Sequence, residues 1–154
     1  MTQLFRVFGA NDAEPDRDVL LAHLHNQGLE GTARFWGDKE GWYQADLKLD
    51  DNPAIIRLER ELFYEEGVRT ALNVFAALVE SLEPSPDQEW LMEHIISARQ
   101  LFTLKRPSET ATRLEVERLC LAVCQFLAKA TDGFYSVEDR GFFSAGGTLL
   151  LKET

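Results

Sequence analysis

The feature of this chain that most restricts its fold is the order in which two kinds of apolar pattern follow one another. Segments with a period of two residues, typical of strands, and segments with a period near 3.6, typical of helices, succeed one another as β-α-β-β-β-α-α-β-α-β-β. Because helices do not alternate strictly with strands, this order disfavours a doubly wound parallel sheet. We therefore predict an α+β protein with an antiparallel or mixed sheet of about six to seven strands and helices packed mainly on one face.

The length of the chain indicates how many domains it forms. Its 154 residues are typical of one ordinary domain, and we predict a single α+β domain over 1–154. The segment "SLEPSPDQ" (81–88) is the one candidate for a subdomain boundary, but it is short for a linker.

Alternation predicts most of the strands. It is present in "QLFRVFG" (3–9) and clear in "GWYQADLKL" (41–49), and "GTARFWG" (31–37) and "QLFTLKR" (100–106) are also predicted as strands. In 41–49 it predicts one face with Trp42, Gln44, Asp46 and Lys48, and an opposite face with Tyr43, Ala45, Leu47 and Leu49.

The segment "PAIIRLERELF" (53–63) fits two patterns. Its apolar residues fit a strand through the even spacing of Ile56, Leu58 and Leu62, and they also fit a helix that begins at Pro53. The preceding "DDNP" follows a strong strand and is typical of a hairpin turn, so we favour the strand.

Four segments carry an apolar face with helical spacing. The predicted helices run from Asp16 to about Gln27, from about Glu66 to "EPSPDQ", onward from Ser85, and from about 109 to 130. Asp16 can cap the first helix, while Thr112 and Glu115 have the spacing of a capping box in the last.

The glycines near the end of the chain fit a hairpin better than a phosphate-binding loop. Only "TLLLKET" follows Gly147, so no helix N-terminus is available to face an anion. The runs "GFFS" and "TLLL" flank the three-residue turn "AGG", which predicts a hairpin with a left-handed glycine. The same pattern predicts Leu149 and Leu151 on one face and Leu150 on the other.

The charge of the chain bears on its partners. The formal net charge is −10, and residues 1–84 hold 16 acidic and 8 basic side chains, against 10 and 8 in residues 85–154. Because phosphate backbones are bound by clustered Lys and Arg, we expect no nucleic-acid partner. An acidic first half would instead attract basic surfaces, although acidity also serves solubility.

The length of the apolar runs and the number of cysteines bear on the cellular compartment of the protein. No apolar run exceeds about six residues, so no membrane span or membrane partner is expected. Met1 is not followed by a charged region and a long apolar stretch, and the two cysteines do not form a secreted disulfide framework. We expect a cytoplasmic protein.

No metal site or cofactor is predicted. His23 and His25 lie about 200° apart on a helix, so they cannot face one metal ion. Cys120 and Cys124 share a helical face, but their neighbours are apolar and no second cysteine pair exists, so we predict a core position for both.

The candidates for catalysis are Arg57, Glu59 and Glu61, which share one face of the predicted strand 53–63. Two carboxylates at this spacing lie about 7 Å apart, within the span that acid–base pairs use. A neighbouring arginine could hold one carboxylate ionised, although a solvated sheet face with a local ion pair is the simpler interpretation.

The candidates for partner binding are Trp36, Trp42 and Tyr43, at the two ends of the polar loop 37–41. Tryptophan and tyrosine near loops are common recognition anchors, although core packing competes for the tryptophans.

These observations favour a non-catalytic acidic protein-interaction or regulatory module, which binds a protein partner or a second copy of itself. The alternative is a small enzyme or ligand-binding protein that uses the sheet-face carboxylates and an arginine. The sequence carries no catalytic signature that decides between them.

Overall fold

The computed structural model describes residues 2–107 and 113–153. Its elements follow in chain order as β1 (Thr2–Gly9), α1 (Arg17–Asn26), β2 (Gly31–Asp38), β3 (Gly41–Leu49), β4 (Ile56–Leu62), α2 (Val68–Ser81), α3 (Gln88–Ile96), β5 (Gln100–Pro107), α4 (Arg113–Ala130), β6 (Phe134–Val137), β7 (Gly141–Ser144) and β8 (Leu149–Lys152). Within the described residues, four helices and one antiparallel sheet of eight strands confirm the α+β class.

The strands lie in the sheet in the order β2-β3-β4-β5-β1-β6-β7-β8. β1 and β5 form the centre, where Phe5 faces Leu104 and Val7 faces Phe102. The edges of the sheet are β2 and β8.

Helices pack on both faces of the sheet. On the first face, α1 and α4 cover an apolar cluster that includes Phe5, Val7 and Phe102. On the second face, α2 and α3 cover Phe8, the neighbour of Val7 in β1, and Phe134. The second-face cluster contains no residue of β2, β3 or β4. We expected helices mainly on one face, and α1 and α4 share the first face, whereas α2 and α3 pack on the second. The second face of β2, β3 and β4 stays open.

The sheet has one strand more than the six to seven that we expected. The additional strand is β6, "FYSV", whose four residues are all buried. A short strand that is buried on both faces shows no alternation, so periodicity gives no signal for it. β6 pairs with β1 and joins the C-terminal hairpin to the centre of the sheet.

Local signals located several elements correctly. The segment 53–63 holds the strand β4, as we favoured. Asp16 caps α1, because its carboxylate accepts hydrogen bonds from the backbone N–H groups of Asp18 and Val19 at 2.8 and 3.0 Å. The capping box expected at Thr112 lies outside the described residues.

The C-terminal hairpin is present as β7 and β8. The N–H of Ser144 donates to the carbonyl of Thr148 at 2.8 Å, and Gly147 between them has φ +95°, which favours glycine. A register shift pairs Phe142 with Leu151 but Phe143 with Leu149. This bulge overturns the expected shared face of Leu149 and Leu151, because Leu149 is exposed whereas Leu151 is buried.

Both cysteines lie in the first-face core, as predicted. Burial raises the pKa of the Cys120 thiol to about 12. Burial also raises the pKa of Cys124 well above its ordinary value. Thiolate chemistry at these positions is therefore suppressed near neutral pH.

Candidate functional site

The candidate site is a cleft of about 350 Å³ at the end of the sheet where β3 begins and β4 ends. We call it the acidic cleft, because five carboxylates line it. Its lining residues are Asp38, Glu40, Gly41, Trp42, Tyr43, Gln44, Glu59, Arg60, Glu61, Leu62, Tyr64 and Glu65.

A β-bulge at Tyr43 shapes one wall of the cleft. In the pairing of β2 with β3, Trp36 lies opposite Gln44 and Gly37 lies opposite Trp42, which leaves Tyr43 without a partner residue. An extra residue reverses the alternation of the strand beyond it. Trp42 therefore lies on the first face with the core, while Tyr43 is 45% exposed.

The two aromatic candidates at the bulge thus have different environments. Trp42 is 1% exposed, and its indole N–H donates to the carbonyl of Pro15 at 2.8 Å. Its ring packs against Phe35 and Phe102, with centroids 5.5 and 5.8 Å apart. Trp42 supports the cleft from inside the core, and Tyr43 offers an aromatic ring at its surface.

Beneath the cleft lies a buried arginine that the sequence interpretation did not single out. Arg60 is 4% exposed, and its guanidinium donates to Gln100 Oε1 at 2.7 Å. It also donates to three backbone carbonyls, those of Trp42 at 3.0 Å, Glu40 at 3.2 Å and Asp12 at 3.4 Å. Arg60 has the same even spacing as Ile56, Leu58 and Leu62, which lie on the inward face of the strand. The sequence pattern therefore already indicated a buried position for Arg60.

The same buried group holds the loop 10–16 against the sheet. Gln100 Nε2 donates to two carbonyls of this loop at 2.7 and 2.9 Å. The carboxylate of Glu14 accepts from the backbone N–H of Trp42 at 2.7 Å. A Cβ atom at Gly41, which has φ +105°, would lie 2.6 Å from this carboxylate, so only glycine allows the close approach. We call Arg60, Gln100, Trp42 and Glu14 the Arg60 cluster.

The structure places the three candidate catalytic residues in two different environments. Glu59 and Glu61 line the acidic cleft, and Glu59 pairs with Lys105 at 3.2 Å. Arg57 instead pairs with Asp46, at 3.0 and 3.3 Å from its two carboxylate oxygens. Arg57 is therefore engaged outside the cleft.

Trp36 lies on a different part of the open second face. It lines a shallow groove with residues of β2 and β3, and the guanidinium of Arg34 lies 4.8 Å from the centre of its ring. The loop 37–41 therefore does not bring the two tryptophans together.

Comparison of the chain with protein-family models, with curated proteins and with solved structures finds no match. Within the described ranges, no helix is both long enough and apolar enough to cross a membrane. Nor do residues 2–107 and 113–153 contain three or more His, Cys, Asp or Glu side chains grouped as metal ligands.

The electrostatics of the cleft follow from its excess of carboxylates. Partial burial, with added repulsion from Glu65 and Glu59, raises the pKa of Glu61. Loss of hydration, a hydrogen bond to Glu40 and nearby negative charge raise the pKa of Tyr64. Burial is the larger cause of both shifts, and the repulsion from neighbouring carboxylates that adds to it shows an excess of negative charge in the cleft.

Replacing Glu61 with glutamine should raise the stability of the protein at neutral pH. Because the folded-state pKa of Glu61 is raised, the folded protein binds its proton more strongly than the unfolded chain does. Ionised Glu61 therefore costs folding free energy at pH values above that pKa, and this cost disappears as pH falls below about 4. Melting temperatures of Glu61→Gln and the unchanged protein across this pH range would test the expectation.

Glu59→Gln is the matched control, since it removes a neighbouring carboxylate that is paired with Lys105. We expect a smaller gain in melting temperature for Glu59→Gln at neutral pH, because the lost pair with Lys105 offsets the relief of repulsion at Glu61. A difference between Glu61→Gln and the unchanged protein that does not vary with pH would contradict the electrostatic explanation.

Proposed function

We propose that this protein is an interaction module that binds a basic segment of a protein partner in the acidic cleft. The observation that carries the proposal is the grouping of five carboxylates and two exposed tyrosines around one concavity. Lysine and arginine side chains of a partner supply the complementary charge.

Three cations close to the cleft are already engaged. Arg60 lies beneath it and donates to carbonyl oxygens and to Gln100, Lys105 pairs with Glu59, and Arg57 pairs with Asp46. The remaining carboxylates of the cleft have no comparable partner among these three cations. Complementary charge from outside is therefore favourable, more so in a concave site where water is partly displaced.

The two tyrosines add a contact that charge alone does not provide. Tyr43 is 45% and Tyr64 is 59% exposed, and both rings line the cleft. A guanidinium or ammonium group over such a ring gains about 0.5–1 kcal/mol at an exposed site. This combination favours a basic side chain over a bare metal ion.

A fluorescent oligoarginine peptide provides a direct test of the proposal by fluorescence anisotropy. We expect saturable binding that weakens as salt rises, because exposed charges are screened. The double variant Glu59→Gln/Glu61→Gln should weaken binding at least about tenfold, which corresponds to about 1.4 kcal/mol.

Asp50→Asn/Asp51→Asn is the matched control, because it removes the same charge from exposed residues at the other end of β3. This control should reduce affinity only slightly. Amide chemical-shift changes on peptide addition should concentrate in residues 38–44 and 59–65. Equal weakening by both double variants, or shifts spread over all acidic surfaces, would show non-specific attraction and would overturn the proposal.

One observation favours a second candidate, a protein that binds or converts a small organic cation at the same cleft. Glu61 has a raised pKa and lies beside Glu59, as a proton-transfer pair would. Native mass spectrometry of the purified protein distinguishes the candidates: a retained small molecule that Glu61→Gln abolishes would favour this one.

A further inference from the structure

The two edges of the sheet differ in how they are protected against pairing with another strand. β8 has four residues, contains a bulge and ends at Lys152, and each of these features discourages edge-to-edge pairing. β2 has eight residues and contains neither proline nor lysine. The bulge beside it lies on β3, so β2 itself runs without interruption.

The outer side of β2 is free within the part of the chain that the structure describes. Outside the sheet ladder, no backbone hydrogen bond joins residues 31–38 to another described segment. A strand of this length presents a row of backbone donors and acceptors that another strand can pair with.

The side chains of β2 are complementary to a second, antiparallel copy of the same strand. Arg34, Trp36 and Asp38 occupy alternate positions of β2, so they share the second face. If Trp36 lies at the two-fold axis, Arg34 of each copy lies opposite Asp38 of the other. The pairing then contains two opposite-charge pairs around a central pair of tryptophans, and such cross-strand pairs are stabilising.

We propose that the occupant of the β2 edge is a second copy of this chain, paired antiparallel with Trp36 opposite Trp36. The two sheets then continue into one another across a two-fold axis, as in an isologous dimer. The proposal does not rest on the proposed function, since it requires only β2, but the two sites share Asp38, which also lines the acidic cleft.

Net charge opposes this association. Each copy carries a formal charge of −10, so the two copies repel one another at low ionic strength. Moderate salt screens this long-range repulsion more than it screens the close Arg34–Asp38 pairs. We therefore expect a concentration-dependent dimer that salt strengthens at first, which is the opposite of the salt effect on oligoarginine binding.

Disulfide trapping tests the register. In Trp36→Cys, the two new cysteines lie directly opposite one another, where antiparallel Cα atoms are about 4.5–5.5 Å apart, a separation that a disulfide spans. Mild oxidation should convert most of this variant to a covalent dimer. Thr32→Cys is the control on the same strand and face, because its two copies lie about 26 Å apart in this register. The native cysteines are buried and contribute little background.

Sedimentation equilibrium of the unchanged chain supplies a measurement that needs no cysteine. It should give a monomer–dimer equilibrium, and Arg34→Asp, which places like charges opposite one another, should weaken dimerisation at least fivefold. Three outcomes would overturn the proposal: a monomer at every concentration, equal cross-linking of the two cysteine variants, or no effect of Arg34→Asp.

Discussion

Replacing Arg60 with alanine is expected to destabilise the protein by about 3 kcal/mol or more, because each buried acceptor that is left without a donor costs about 1–3 kcal/mol. The guanidinium of Arg60 donates hydrogen bonds to Gln100 Oε1 and to the carbonyls of Trp42, Glu40 and Asp12. Without the guanidinium, these acceptors lie beside a cavity. A native protein has only about 5–15 kcal/mol of stability, so the variant would lose a large part of it.

Arg57→Ala is the matched control for Arg60→Ala, because it removes the same residue type from the same strand. Arg57 is exposed and makes a surface ion pair with Asp46, a type of contact that adds little stability because water and salt screen it. Urea unfolding of the two variants measures the difference directly. If Arg60→Ala lost no more stability than Arg57→Ala, the structural role of the Arg60 cluster would be wrong.

Ending the chain after Gly141 is expected to prevent folding. The cut removes β7 and β8 together with Phe142 and Leu151, which are buried in the second-face core under α2 and α3. Each such side chain contributes about 1.5–3 kcal/mol through burial. The cut also exposes the edge of β6, so we expect an insoluble or unfolded product with no cooperative melting transition.

Two single substitutions in the same hairpin provide milder changes for comparison with the truncation. Phe142→Ala should cost about 3–5 kcal/mol, as expected for a buried phenylalanine, whereas Leu149→Ala changes a side chain that is 49% exposed and should cost much less. Far-UV circular dichroism during heating compares all three proteins. Cooperative melting of the truncated chain at an unchanged temperature would show that the hairpin is not part of the core.

The sequence predicted those helices and strands that are specified by residues close to them in the chain. The turn "DDNP" and the even spacing after Ile56 located β4, and an aspartate at the correct offset located the start of α1. The strand β6 was missed because its four residues are buried on both sides, and its partner β1 is more than 100 residues away in the chain. The sequence pattern of "FYSV" therefore does not indicate that this segment pairs with β1.

The candidate site was predictable only in part. Glu59, Glu61 and Tyr43 were singled out from the sequence, and the structure brings them to one cleft. Arg57 was grouped with the two glutamates, since alternate residues of one strand share a face. It pairs across to Asp46 on β3 instead, and the register of two strands decides that contact.

By itself, the sequence determined the four helices and seven of the eight strands, where the C-terminal chain turns back, and that the protein carries a large negative charge. The helices, strands and turn depend on neighbours within about one turn of helix or one strand, and the charge depends on composition alone. Only the tertiary structure decided that Trp42 enters the core while Tyr43 faces solvent, because an unpaired residue against β2 reverses the alternation. It likewise decided that Arg60 lies beneath the cleft, since its acceptors come from the loop 10–16, from β5 and from the start of β3, segments that only folding brings together.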